Sequence, residues 1–300
     1  MRSPLSRQRS SGLQLAIGTY VIWGLFPLYL MLVRTVPPVE FVGWRIIWTL
    51  PFCLLLVGLG RHSAELRSAL ADRRIVARLT LSALLIGTNW TIYTVAIQQG
   101  HVFAASLGYY INPLANVLAG TLFLCERLNR RQWAAVALAA AGVSLLAWGA
   151  REMLWISLTL ALSFCAYGLV RKTTPVSALA GLTIESAVLL VPAIIVVGWY
   201  ATGPGGSSFL ISPHLSLLIM LGGVITGVPL MMFAAAARRM DYSTLGMVQF
   251  IAPTMVFLIG LTLFHEPLRP VQLACFVAIW IAIGLFVWDL LAQRRRPQPR

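Results

Sequence analysis

The sequence predicts an all-α integral membrane protein: ten transmembrane helices built as two inverted five-helix repeats. Three observations carry this reading: a composition too apolar for water, ten apolar stretches of spanning length, and a match of the chain to itself at a fixed shift. Of the 300 residues, 59% are hydrophobic and 11% are charged, and mean hydropathy is +0.82. Ordinary soluble domains carry roughly 25% charged residues, so the solvent that suits this surface is lipid. The same figures exclude disordered and disulfide-scaffold classes.

A spanning helix needs about 20 mostly apolar residues. In order, the stretches that qualify are Gly12 to Val33, Pro38 to Gly60, Leu79 to Ile97, Phe103 to Leu124, Gln132 to Gly149, Glu152 to Val170, Ala180 to Ala201, Leu215 to Ala237, Ser243 to Phe264 and Pro270 to Leu290. They divide into a first repeat, 12–149, and a second, 152–290, with basic tails at 1–11 and 291–300. Several connections are only a few residues long and rich in Pro, Gly or charge, which makes consecutive helices antiparallel neighbours. Two are longer: Arg61 to Arg78, whose Ala/Leu/Arg pattern predicts a short surface helix, and Thr202 to His214, a Gly/Ser/Pro-rich loop. The opening MRSPLSRQRS before an apolar run resembles a signal peptide. That run is about 22 residues long without a clear small-residue cleavage site, so it is read as a retained first helix.

Net charge is +14, from 23 Lys+Arg against 9 Asp+Glu. With the N-terminus cytoplasmic, 19 of the basic residues fall on one side, in the tails and alternate loops, Arg171 and Lys172 among the loop residues. Arg34, Arg151 and Arg269 fall on the other, and Arg45 lies within a span. This is the positive-inside pattern, so the charge is topogenic and in reach of anionic lipid head groups. Nucleic acid is not an expected partner, because no basic patch is interleaved with exposed aromatics. Cys53, Cys125, Cys165 and Cys275 have no ligand spacing and read as small packing residues. No cofactor or metal site is expected.

At a shift of 140, INPLANVLAGTLFLCERLNRRQW from Ile111 aligns with IAPTMVFLIGLTLFHEPLRPVQL from Ile251, matching Pro113 to Pro253, Gly120 to Gly260 and Glu126 to Glu266. Gly87 meets Gly227 at the same shift, and near it Trp23-Gly24 faces Tyr167-Gly168. Because each copy holds an odd number of helices, the second enters the membrane from the opposite side. Inverted repeats with a site near the midplane are a recurring transporter design.

Two copies of a five-helix unit, each with a WG or YG pair in its first helix and a G-x5-E-x-L ending its fourth, resemble the EamA domains of the drug/metabolite transporter superfamily. The strings TYVIWGLFPLY, IGTNW, ASLGYYINPL, FCAYGLVRK and STLGMVQFIAPT are similar to its RarD subfamily, over nearly the whole chain. The resemblance implies a ten-helix permease of the bacterial inner membrane with a central cavity. It also implies export of metabolites or drugs, and the subfamily's label is associated with chloramphenicol sensitivity. Cys125 departs from the pattern, standing where a helix-ending glycine is common, and His265 precedes the second motif glutamate.

Ionisable groups inside spans are functional hypotheses by default, since burying one costs at least about 2.5–3.5 kcal/mol on insertion scales. Arg45 and Glu185 occupy the equivalent second helices of the two halves. At 1.5 Å per residue they lie about 10 Å and about 8 Å in from opposite faces, leaving roughly 12 Å between them in a core of about 30 Å. They are therefore expected as separate polar anchors on either side of a cavity. The plainer alternative for Arg45 is a snorkelling side chain satisfied by carbonyls. Glu40 is five residues from Arg45, on a different helix face.

Further cavity candidates are Asn89 and Trp90 in the third span, Tyr109, Tyr110 and Asn112 in the fourth, Tyr167 in the sixth and Gln249 in the ninth. An amide in lipid needs a hydrogen-bond partner, which turns Asn89, Asn112, Asn116 and Gln249 inward. Pro113, Pro229 and Pro253 are expected to interrupt helices there as hinges or sources of free carbonyls, with benign kinks as the alternative. Glu126 and Glu266, at helix ends, read as structural hydrogen-bonding residues.

No catalytic residues are expected. Asp72, Asp241 and Asp289 fall at or beyond span ends, which leaves no intramembrane aspartate dyad, and no aspartate cluster exists to hold a metal-diphosphate. HEPLR is not HExxH, and His62, His101, His214 and His265 lie in loops or at span ends, away from any buried serine. The reading is a secondary transporter, monomeric or homodimeric, with a small-molecule substrate and membrane lipid as partners. Alternatives are a flippase for an amphiphilic intermediate and, more remotely, a receptor. The chain has no Walker motif, and Gly12 to Val33 contains no acid, which leaves Glu185 as the candidate for proton coupling and facilitated diffusion as the other possibility.

Overall fold

The computed structural model describes residues 4–99, 101–148, 153–263 and 270–295. They form twelve helices, with no strand among the described residues. In order these are α1 (Pro4–Leu32), α2 (Pro38–Leu59), α3 (Ser63–Ala71), α4 (Arg73–Gln98), α5 (Val102–Phe123) and α6 (Arg130–Trp148). Then follow α7 (Leu154–Thr173), α8 (Ala178–Thr202), α9 (Pro213–Arg239), α10 (Tyr242–Gln249), α11 (Ile251–Thr262) and α12 (Pro270–Arg295).

The starts are set by local chemistry. Pro38 and Pro213 occupy first helical turns, where a missing N–H costs nothing. Asp72 accepts from the Arg74 and Ile75 amides at 2.8 and 3.3 Å, which starts α4 six residues earlier than apolarity alone predicts. Ser177 and Ser212 cap α8 and α9 in the same way, accepting from the amides of Ala180 and Leu215. The basic Arg61 to Arg78 stretch does contain a short helix, α3.

Among the described residues, eight helices are long and apolar enough to cross a membrane, α10 and α11 together making one of them, Tyr242–Thr262. α5 and α6 fall outside that set. α5 is diluted by Asn112, Pro113 and Asn116, and α6 is only 19 residues long and opens on Arg130, Arg131 and Gln132. The predicted span edges at Gly149, Glu152 and Phe264, together with His265 and Glu266, lie outside the described residues.

The expected interruptions at Pro113 and Pro229 need correction. Pro113 and Pro229 sit inside unbroken α5 and α9. The ninth span does divide, at Phe250, which ends α10 and starts α11; Pro253, in the first turn of α11, has no N–H to give the Gln249 carbonyl four residues back. Proline removes one i→i−4 bond, but neighbouring helices in a bundle hold the chain in register across that loss.

Packing follows membrane rules. α2 lies against α8 and α9, α5 against α7 and α10, α1 against α9 and α11, α4 against α7, and α6 against α12. At the α2/α9 crossing a Cβ on Gly223 would stand 2.6 Å from the Trp48 carbonyl oxygen, so only glycine lets these backbones meet. Large apolar side chains such as Leu59, Leu122, Phe123 and Ile195 point outward, whereas Asn89, Asn112, Asn116 and Gln249 are buried. Five exposed tryptophans, Trp133, Trp148, Trp155, Trp199 and Trp288, stand toward helix ends, as in the interfacial belt expected of a multi-pass membrane protein, whereas Trp280 is exposed in the middle of α12.

Candidate functional site

A cavity of about 220 Å³ opens among α1, α2, α4, α5, α7, α9, α10 and α11. Helical spacing explains its walls. Tyr20, Trp23, Pro27 and Leu30 recur at i, i+3, i+7 and i+10 on α1, and Gln249, Ala252, Pro253 and Val256 recur at i, i+3, i+4 and i+7 across α10 and α11. α4 contributes Asn89, Trp90 and Tyr93, α5 contributes Ser106, Tyr109 and Tyr110, and α9 contributes Ile225, Thr226 and Leu230. The lining thus occupies the middle of the bundle and the half toward the end of α1.

Among the described residues, Arg45 is its one charged lining residue. Nε donates to Thr226 Oγ1 at 2.8 Å, and Thr226 itself donates to the Gly222 carbonyl at 2.7 Å. The guanidinium carbon lies 4.9 Å from the Phe26 ring centroid, 5.2 Å from Trp90 and 5.7 Å from Phe41. Rings thus hold the group by cation–π attraction, and among the described residues no carboxylate pairs with it.

The amides serve the frame as well as the wall. Asn89 Nδ2 donates to the Leu160 carbonyl at 2.8 Å and to Ser163 Oγ at 3.0 Å, tying α4 to α7. Gln249 Oε1 accepts from Asn116 Nδ2 at 2.7 Å and from the Tyr20 hydroxyl at 3.5 Å, which joins α10 to α5 and α1.

Of the residues singled out from the sequence, Arg45, Asn89, Trp90, Tyr109, Tyr110, Gln249 and Pro253 line this cavity. Asn112, Tyr167, Glu185, Pro113 and Pro229 are not part of its lining. Asn112 turns its amide to the Ala161 carbonyl at 3.0 Å. Tyr167 is buried and stacks on Phe233, with centroids 6.0 Å apart. Glu185 borders a separate void of about 10 Å³ that shares Trp90 and Leu230 with the large cavity.

Two polar clusters lie toward the opposite end. In the first, Arg171 Nε stands 3.5 Å from Glu185 Oε1, and Ser82 Oγ donates to the same oxygen. This corrects the sequence reading of Arg171 as a loop residue: it belongs to α7 and is 2% exposed. In the second, Glu126 accepts from the Tyr242 amide at 2.6 Å and from the Ser243 amide and hydroxyl at 2.8 Å each, capping α10. Lys172 is 3.9 Å from Glu126 and donates to the Ala237 and Met240 carbonyls, closing the end of α9. Glu40, buried in α2, accepts from Trp44, Ser207 and Ser208 and so pins the α8–α9 loop.

The sequence reading missed Tyr20, Trp23, Phe26, Tyr93, Phe164 and Thr226 as wall residues. For α1 the signal was present, in the helical spacing of aromatics on both sides of the Trp23-Gly24 pair. Thr226 had none, since its role depends on which helix crosses α2.

A lipid-facing helical bundle around a small aromatic cavity defines a class, the multi-pass membrane transporters. Residues 10–148 match the EamA-like transporter family. The chain is 43% identical to an uncharacterized transporter of Pseudomonas aeruginosa over 96% of this chain and 97% of that protein. It is 38% identical to Protein RarD of Escherichia coli (strain K12), covering 97% and 98%. It is 32% identical to a Pseudomonas aeruginosa protein named chloramphenicol-sensitive protein RarD, covering 94% and 95%. A protein crystal structure superposes with a TM-score of 0.72 at 19% identity, over 96% of this chain and 100% of the other, which is a likeness of fold. The chain belongs to the RarD subfamily of the EamA-like transporters.

Proposed function

We propose that this chain is an inner-membrane secondary transporter that exports small metabolites or drugs by alternating access between two inverted repeats, 12–149 and 152–290. With α5 and α6 counted as spans the total is ten, and the basic charge of alternate loops and tails supports both termini in the cytoplasm.

The observation that carries the reading is one cavity walled by helices of both halves. The helix contacts support it further, because each cross-pair has a counterpart with the halves exchanged. α1 with α9 mirrors α7 with α4, and α2 with α9 mirrors α8 with α4. α5 with α7 likewise mirrors α11 with α1. Such exchangeable contacts let one bundle rock against the other around a fixed site. In the proposed orientation the cavity occupies the middle and the external half. The Arg171–Glu185 and Glu126–Lys172 clusters close the cytoplasmic half, as in an outward-facing state.

The test is flux in proteoliposomes holding the purified protein, with labelled amino acids, nucleobases, sugars and amphenicols. Saturable flux that unlabelled substrate competes away is expected. Linear flux would indicate a channel, and no flux across the panel would remove the transport reading.

A further inference from the structure

Arg45 and Arg171 are both arginines on membrane-spanning helices, and the fold treats them differently. Arg171 is given a counter-charge, Glu185, at 3.5 Å. Arg45 is given a hydroxyl and aromatic faces, and none of the residues lining its cavity is acidic. A guanidinium held among aromatic walls without an anion carries an unmet electrostatic demand.

The contacts also fix which part of Arg45 is spoken for. Thr226 uses its proton on the Gly222 carbonyl, so its lone pairs receive Nε–H and the guanidinium is oriented. Nη1 and Nη2 make no hydrogen bond among the described residues, which leaves free the edge that grips a carboxylate in a two-point fork. Tyr93 and Tyr109 line the same cavity, and their rings meet edge to face with centroids 5.6 Å apart. Much of the remaining wall is aromatic, with Trp23, Phe26, Trp90 and Phe164 lining the same cavity.

We infer that the cavity takes a small organic anion, with a carboxylate or comparable monoanionic group on Arg45 and a flat, apolar or aromatic body among the rings. This deepens the transport reading and rests on it for the cavity being the substrate's own. A cation meets only repulsion at Arg45. A neutral body of the same shape keeps the stacking and forfeits the charge-assisted pair.

The experiment is calorimetric titration of the detergent-purified full chain, in chloride-free buffer, with phenylacetate and indole-3-acetate against phenylacetamide and indole-3-acetamide. Each acid is expected to bind about tenfold or more tightly than its amide. Arg45→Gln should erase that preference, Arg45→Lys should keep part of it, and Thr226→Val should weaken acid binding alone. Equal binding of acid and amide by the wild-type protein, or binding of neither acid, overturns the inference without recourse to any variant. Proteoliposome flux separates the two claims. Acid binding without flux of any compound leaves the anion site and removes the transporter, whereas saturable flux of a neutral compound with no acid binding does the reverse.

Discussion

Arg171 and Glu185 form an ion pair inside the bundle, Nε to Oε1 at 3.5 Å, with side chains 1% and 2% exposed. Among the described residues, Arg171 Nη1 and Glu185 Oε2 have no hydrogen-bond partner, so each charge depends on the other. Removing one partner strands the survivor, which costs about 3–5 kcal/mol, whereas replacing both with apolar groups is often near neutral. Arg171→Leu and Glu185→Leu should each lower the thermal midpoint in detergent sharply, and the double variant should recover most of the loss. Additive losses would show that the two residues act separately.

The same carboxylate borders the small void that shares Trp90 and Leu230 with the cavity. It is faced by Arg171 and Tyr167 from α7, Ser82 from α4 and Cys53 from α2. If protons drive export, flux responds to an imposed pH gradient in the wild-type protein and loses that response in Glu185→Gln. A variant with unchanged pH-driven exchange in liposomes would move coupling elsewhere.

The G-x5-E spacing of the first repeat has a mechanical explanation. A Cβ on Gly120 would stand 2.5 Å from Glu126 Oε2 and 2.6 Å from Ser243 Oγ, so glycine makes the space in which Glu126 caps α10. Gly120→Ala should displace that carboxylate and cost about 1–3 kcal/mol, the usual penalty for unmaking a buried charged hydrogen bond. Cys125, just before Glu126, has φ 54°, in the left-handed region. That conformation costs an L-residue roughly 1–2 kcal/mol, part of which glycine's greater unfolded-state freedom cancels. Cys125→Gly should therefore raise stability by about 0.5–1 kcal/mol, read as a higher thermal midpoint.

At the α2/α9 crossing the obstacle to a side chain is backbone, which no rotamer change can clear. A Cβ on Gly223 would lie 2.6 Å from the Trp48 oxygen and 2.7 Å from the Thr49 nitrogen. Gly223→Ala should cost about 1–3 kcal/mol or more, while Gly198→Ala, where a Cβ meets nothing within 4 Å, should be neutral or stabilising. Equal thermal midpoints for the two would contradict this account of the crossing.

The helices were legible because apolar length and basic punctuation are local properties. Arg45, Asn89, Trp90 and Gln249 stood out because a polar or amphipathic group in a span must face other protein. What stayed hidden depended on partners distant in sequence. Arg171 looked like one more topogenic charge beside Lys172, and only the approach of α8 makes it the counter-ion of Glu185. Pro229 looked like an interruption, yet α9 continues through it. The break at Phe250, by contrast, falls in the turn before Pro253, where the missing N–H leaves the Gln249 carbonyl without its helical partner.

The central claim, one cavity that faces each side of the membrane in turn, is tested most directly by labelling Ser106→Cys. Ser106 lines the cavity, and of the four native cysteines only Cys125 is exposed. The parent is therefore Cys125→Gly, which also serves as the control. A membrane-impermeant maleimide is applied to right-side-out and to inside-out vesicles, with and without a transported substrate. The account predicts modification from both sides, slowed by substrate in each case, with no accompanying ion leak. Modification from one side alone, whatever is added, would contradict it.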